Sequence, residues 1–480
     1  MNILFKQYSE YIALSLLMIL LAFLATFLDE SFYSVLIIGI PVLLFLLLTL
    51  FKDYKKILFL LILAIPLSVP LTLDNGFTLL FPSEILLAFL ALYVGVRFVF
   101  FYPIDKKILF HPVSILILLD LFWNMVCSIN SASLEVSFKR TIVSIAYILI
   151  YYFLLTELFS NTQNISKVYK LYILGLVIPI AYTLYMHAEF DFAVSDSPQI
   201  SRPFYNDHTI YGAVLAFFIP YLIYSTVKKQ DNLNYTIVYG LLSLLFLVGL
   251  YFSFSRAAWL SLLIAGLFFI FTLLKHKLIV SFVLLILIIV NASFLWKTIY
   301  ETAIESKAIS NKENITEHVQ SVTNISSDVS NAERINRWKS ALRMFYDRPL
   351  MGFGPGTYQF YYGNYQLRTE MTRISTYKGD RGHAHSEYLN KLSETGWPGL
   401  LLFISTGISV FLVAWRIDKI TSDSTTKNLV RITAMALLTF YIHSFFNGFI
   451  ETDKMAMPVY AAIAAIVAID IKLRDKKINR

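Results

Sequence analysis

The chain has 480 residues, 57% of them hydrophobic and only 15% charged, with a formal net charge of +8. Soluble domains carry about a quarter charged residues, so this composition excludes an ordinary water-soluble enzyme. The excess basic charge sits in short loops between apolar runs and not on one clustered face, which excludes nucleic acid as a partner.

A bilayer core takes about 20 apolar residues in a helix. Such runs are read at Tyr11–Leu28, Val35–Leu50, Ile57–Leu71, Ile85–Phe101, Val113–Cys127 and Thr141–Leu158. They continue at Leu171–Met186, Ile210–Val227, Tyr235–Phe252, Trp259–Leu274 and Leu278–Leu295, and after a long polar stretch at Pro398–Trp415, Ile432–Ile450 and Met455–Ile471. The expectation is an all-α polytopic membrane protein with about 14 transmembrane helices, or 12 if the shorter runs fail to cross. The first run has no small-residue cleavage site before Asp29 and Glu30 and reads as a retained helix, not a signal peptide. Four regions follow: N-terminal spans over 1–190, core spans over 191–295, a large polar loop over 296–397, and C-terminal spans with a basic tail over 398–480.

Lys and Arg in short loops stay on the cytoplasmic side. With Lys6 inside, the loops bearing Lys52, Lys55 and Lys56, Lys106 and Lys107, Lys167 and Lys170, Lys228 and Lys229, and Arg416 and Lys419 are all cytoplasmic, as is the tail from Lys472 to Arg480. The predicted location is the bacterial inner membrane with both termini cytoplasmic. Lys139 and Arg140 alone break the rule. This orientation puts 188–209, 253–257 and 296–397 on the extracytoplasmic face, where the chemically capable residues gather.

Within the long loop, residues 301–331 are polar and predict a flexible or weakly helical excursion. Ile335, Trp338, Leu342 and Phe345 recur at helical spacing, so an amphipathic helix is expected over 332–346, ended by Asp347-Arg348-Pro349. The glycines at 352, 354 and 356 lack the spacing and lysine of a phosphate loop and predict a tight turn. His383, His385 and Glu387 then follow two residues apart. A zinc site needs at least three protein ligands, and no third His or Cys lies near, so no metal and no cofactor is expected. Imidazole titrates near neutrality and suits a general base, while a polar helix start explains the same pair equally well on residue chemistry alone.

Here the sequence resembles a known family. His385-Ser386, nine residues, then Gly396-Trp-Pro-Gly399 resembles the periplasmic signature of the O-antigen ligase/polymerase superfamily. Arg256-Ala-Ala-Trp-Leu260 is similar to the family's Arg-x-x-x-Leu at an outer helix end, and Arg202-Pro-Phe-Tyr-Asn206 to its Arg/Asn segment entering the next span. The resemblance covers about residues 195–470 and implies a GT-C-like transferase that works without nucleotide sugar or metal. It implies a polyprenyl-diphosphate-linked glycan as donor and a hydroxyl on a glycan, lipid or protein as acceptor. His385 would then be the base, and Arg256 and Arg202 would hold the diphosphate. His383, Arg140, Lys139, Glu387, Arg381 and Asn206 are secondary candidates. Ser386 stands where many members carry Asn. Ligase and repeat-unit polymerase chemistry both fit these residues. A transporter of lipid-linked sugars is the competing class, disfavoured because the polar residues collect on one face and no internal repeat is visible.

Overall fold

The computed structural model describes residues 53–72, 78–100, 104–192, 197–228, 233–273, 318–372, 375 and 382–478. The runs predicted at Tyr11–Leu28, Val35–Leu50 and Leu278–Leu295, and the candidate Arg381, lie outside these residues. The chain divides into two compact units, one comprising 1–103 with 170–175 and the other 104–169 with 176–480.

In the first unit, helix α1 (53–64) gives way to a tight turn at Ile65–Leu67 and then to a two-stranded antiparallel hairpin, β1 (Val69–Thr72) with β2 (Thr78–Phe81). The apolar run Ile57–Leu71 is therefore no single span. Pro66 and Pro70 explain this: proline removes a helix donor and disfavours helical geometry before it, which a count of apolar residues ignores. Ser83 N–H donates to Ser68 Oγ at 3.1 Å and ties the hairpin to helix α2 (Ser83–Phe100).

The second unit is a helix bundle. It runs through α3 (Lys106–Leu109), α4 (Pro112–Ile129), α5 (Leu134–Leu158), α6 (Gln163–Glu189), α7 (His208–Val227), α8 (Leu233–Phe252) and α9 (Arg256–Leu273). It continues with the polar helix α10 (His318–Asp347), then α11 (Glu387–Ile420), α12 (Ser424–His443) and α13 (Asp453–Ile478). Among the described residues, seven helices are long and apolar enough to cross a membrane. In lipid every backbone amide needs an internal partner, which is why such runs fold as helices. α7 and α13 are buried almost all round, whereas α8 turns most of its surface outward, as a bundle-edge helix does.

α10 is longer than the sequence pattern suggested. It begins at His318, inside the stretch expected to be flexible or weakly helical, and ends at Asp347 as predicted. α11 breaks at Gly396, whose φ of 69° lies in the left-handed region that glycine tolerates. A side chain there would run into the Leu350 carbonyl, and Trp397 N–H donates to Pro349 O at 3.0 Å. The break sets the segment Glu387–Thr395, with the histidines just before it, against the loop after α10.

The ends of the bundle differ in chemistry. At the end of α11 and α13 remote from His385, the carboxylate of Asp470 is buried and takes His111, Arg416 and Arg474, while Lys107 pairs with Asp475 at 2.8 Å. Beyond its break at Gly396, α11 continues to Ile420 as about 36 Å of helix. The Asp470 cluster therefore lies far along the bundle from the histidine site.

Candidate functional site

Five segments converge at the histidine end: the α4–α5 turn, the turn before α7, the N-terminus of α9, the second half of α10, and the loop between α12 and α13. Phe353 N–H donates to Ser393 O at 3.0 Å, Gly354 N–H to Glu394 O at 2.8 Å, and Ala132 N–H to Phe353 O at 2.9 Å. The glycine-containing turn at 352–356 thus wedges between the α4–α5 turn and α11. Glu394, buried, accepts from Gly356 N–H at 2.9 Å and Tyr358 N–H at 3.0 Å. Glu387, also buried, donates its own N–H to Ser444 O and accepts from Phe449 N–H, both at 2.9 Å. Both glutamates act as clamps on neighbouring backbone. This favours positioning over chemistry for Glu387.

His385 has a φ of 49°. A bulky residue in that region costs free energy and persists where surroundings over-determine it. The surroundings are visible: its N–H donates to His383 Nδ1 at 3.0 Å, its carbonyl accepts from Trp338 Nε1 at 3.3 Å, and Ser386 caps α11. Arg337 donates to His383 O at 3.2 Å and pairs with Glu333 at 3.0 Å, so α10 holds the loop from its other side.

The two histidines are not equivalent. His383 Nδ1 is engaged by the His385 N–H, which puts the proton of the neutral ring on Nε2 and leaves no free lone pair. His385 Nδ1 lies 3.3 Å from Asn447 Oδ1, an acceptor, which puts the proton on Nδ1 and frees the Nε2 lone pair. Burial favours the neutral form of both rings. Burial, followed by the His383 ring and the charges of Arg337 and Arg334, keeps His385 well below the ordinary histidine value, and burial lowers His383 as well. Asp207 and Glu451 act on His383 in the opposite sense. Among the described residues no group of three His, Cys, Asp or Glu side chains is placed to hold a metal ion.

Arg256 is the first residue of α9 and is exposed. A cation at a helix N-terminus opposes the macrodipole, so two sources of positive potential coincide there. Arg334 lies within reach of both halves of the site. Burial lowers its pKa, Arg256 lowers it further, Asp207 opposes them, and Arg334 in turn acts on His383, His385 and the buried ring of His443. Its Nε is buried with no hydrogen-bond partner among the described residues. Arg334 belongs to no sequence motif; from the sequence, the Arg-x-x-Arg pair Arg334 and Arg337 is expected to meet acidic glycan or to face water. Asn447 was missed, although an Asn near a His at the end of an apolar run is itself a pointer to function.

Arg202 and Asn206 are exposed in the turn before α7. Lys454 fastens that turn to α13 by donating to the Phe204 carbonyl and lying 4.5 Å over the Tyr205 ring. Arg140, the apparent breaker of the charge rule, pairs with Glu451 at 3.1 Å and donates to its carbonyl at 3.1 Å. Its position is explained by that acid, and Lys139 beside it is exposed. Beneath the loops, Asp120, Arg140, Glu387, Asn390, Lys391, Glu394 and Glu451 line part of a cavity of about 80 Å³. Lys391 and Asp120 pair across it at 3.1 Å, and a polar space of this size holds a few waters.

A multi-pass helical membrane protein with a histidine–arginine cluster gathered at one end of its bundle is the class that these features define. Residues 241–404 match the family model described as O-Antigen ligase, a match that supports the O-antigen ligase/polymerase superfamily for this stretch. That stretch includes Arg256, Arg334, His385 and the Gly396 break. A comparison with curated proteins finds no match.

Proposed function

We propose that the protein transfers a glycan from a polyprenyl-diphosphate carrier to an acceptor hydroxyl on the extracytoplasmic face, as a metal-independent ligase of cell-surface polysaccharide. His385 Nε2 takes the proton of the acceptor hydroxyl. The oxygen attacks the anomeric carbon, the bond to the diphosphate oxygen breaks, and polyprenyl diphosphate leaves with the negative charge. Arg256, Arg334 and the N-terminus of α9 receive that charge, and fixed cations in a partly dry site stabilise it better than water does. Arg202, on the exposed turn, reaches the donor from the rim.

One observation carries the reading: a neutral imidazole with a free Nε2 stands in the field of Arg334, a largely buried guanidinium that also feels Arg256. Arg334 and Arg256 bring two positive charges to this end of the bundle, with Asp207 opposing them, and such a site suits an anionic ligand. The domain match over 241–404 supports the same class of chemistry.

The test is transfer by the full chain in proteoliposomes with a defined diphosphate-linked donor. His385→Gln, which keeps hydrogen bonding and removes the titratable lone pair, is expected to lose a factor of about 10² to 10⁴ in rate. Near-wild-type transfer by that variant would remove His385 from the chemistry. Product length separates ligation from polymerisation: a polymerase lengthens carrier-linked chains, and a ligase empties them onto a second acceptor.

A further inference from the structure

Asn447 lies in the turn that follows α12, beyond the residues matched to the family model. Its side chain is buried between two histidines. Oδ1 is 3.3 Å from His385 Nδ1, and Nδ2 is 3.1 Å from His443 Nε2. An amide has one accepting and one donating end, so this line of side chains has a direction. With Nδ2 donating to His443, Oδ1 faces His385 and requires a proton on its Nδ1. The reversed amide would present N–H to His385 Nδ1, drive that ring's proton to Nε2, and occupy the nitrogen that must accept.

The turn is built to hold the amide in place. Ser444 O accepts from Glu387 N–H and Phe449 N–H donates to Glu387 Oε2, so both flanks of Asn447 are fastened to the first residue of α11. Gly448 permits the approach: a Cβ there would lie 2.7 Å from Asn390 Nδ2 and 3.0 Å from Glu387 Oε2. His443 is held against Phe449, ring centroids 5.1 Å apart.

We propose that Asn447, oriented by His443, is the positioning residue that keeps His385 in its Nδ1–H tautomer with the Nε2 lone pair free for the acceptor proton. The inference rests on the reading of His385 as the base. The other ionisable groups facing this ring are His383, with ring centroids 4.7 Å apart, and Arg334 and Arg337 from α10, the latter paired with Glu333. His443 faces it from α12 through Asn447, and Asp207 and Glu451 act on His383 from the flanking loops.

The experiment reads the ring itself. The full chain in lipid nanodiscs is treated with diethyl pyrocarbonate across a pH series, and modification of His385 is followed by peptide mass spectrometry beside the transfer rate. Asn447→Asp places a carboxylate on Nδ1, and an adjacent opposite charge raises a histidine pKa by about 1–3 units. The labelling midpoint and the acid limb of transfer are expected to rise together. An unmoved midpoint in Asn447→Asp overturns the inference. A midpoint that rises while the transfer profile stays put leaves Asn447 on the ring and overturns the base reading instead. His443→Leu and His443→Gln give an independent arm. Leu frees the amide and is expected to lower kcat about tenfold or more at unchanged KM, and Gln, which keeps an acceptor, restores it. Equal losses in both variants refute the orienting role of His443.

Discussion

Replacing Arg334 with methionine is expected to make the empty protein more stable and its hold on the donor weaker. The guanidinium is largely removed from water, its Nε has no hydrogen-bond partner among the described residues, and Arg256 repels it. Burial and Arg256 together outweigh the attraction of Asp207, since the pKa is lowered and not raised. The folded protein therefore disfavours this charge. Methionine fills a similar path with apolar atoms and removes the orphaned donor, worth about 1–3 kcal/mol. In the donor complex the balance reverses. Two charge-assisted bonds from a guanidinium fork to phosphate oxygens contribute about 3–6 kcal/mol, so affinity falls by roughly 100-fold or more. The assay pairs the melting temperature of the ligand-free protein in detergent with donor binding in nanodiscs. A variant that melts lower than wild type and binds donor equally well refutes the assignment of Arg334 as an anion ligand.

Other outcomes follow from the same geometry. Arg256→Lys keeps the charge but loses the planar fork, and transfer is expected to fall at least about tenfold; full activity in a vesicle assay reduces Arg256 to an anchor. Because His385 titrates well below the ordinary histidine value, the acid limb of kcat/KM is expected below pH 6.5, with transfer lost as pH falls through the ring's own pKa. A bound diphosphate offsets Arg334, so the limb of kcat, which reports the donor complex, is expected at higher pH than that of kcat/KM; coincident limbs argue that no anion sits beside the ring. Glu394→Ala orphans the amides of Gly356 and Tyr358 at about 1–3 kcal/mol each. Hydrogen exchange in the 352–362 segment should then quicken by roughly 30-fold or more, and unchanged exchange removes the clamp.

Much of the bundle was legible because lipid leaves the backbone few options. The runs at Val113–Cys127, Ile210–Val227 and Met455–Ile471 lie within helices α4, α7 and α13. Where the reading slipped, composition had hidden a local rule. Pro66 and Pro70 turned an apolar run into a hairpin, and the polar residues from His318 onward carried no apolar stripe to announce the start of α10. Of the candidate site, His385 and Arg256 could be proposed from the sequence because short motifs surround them. Arg334 and Asn447 could not be read the same way. The His385 ring stands more than 50 residues along the chain from each of them, and only the folding of α10 and α12 against the start of α11 brings them to it.

The left-handed backbone at His385 bears on how any substitution there is interpreted. Alanine and glutamine at that position change two things at once, the imidazole and the ease with which the main chain takes a φ of 49°. Asparagine and glycine enter that region more readily than other residues. A pair of variants, one asparagine and one alanine, therefore separates loss of chemistry from relaxation of the loop. If the two behave alike, the aim of the ring belongs to the scaffold; if asparagine alone stays well folded, the loop owes its shape to whichever residue occupies this one position.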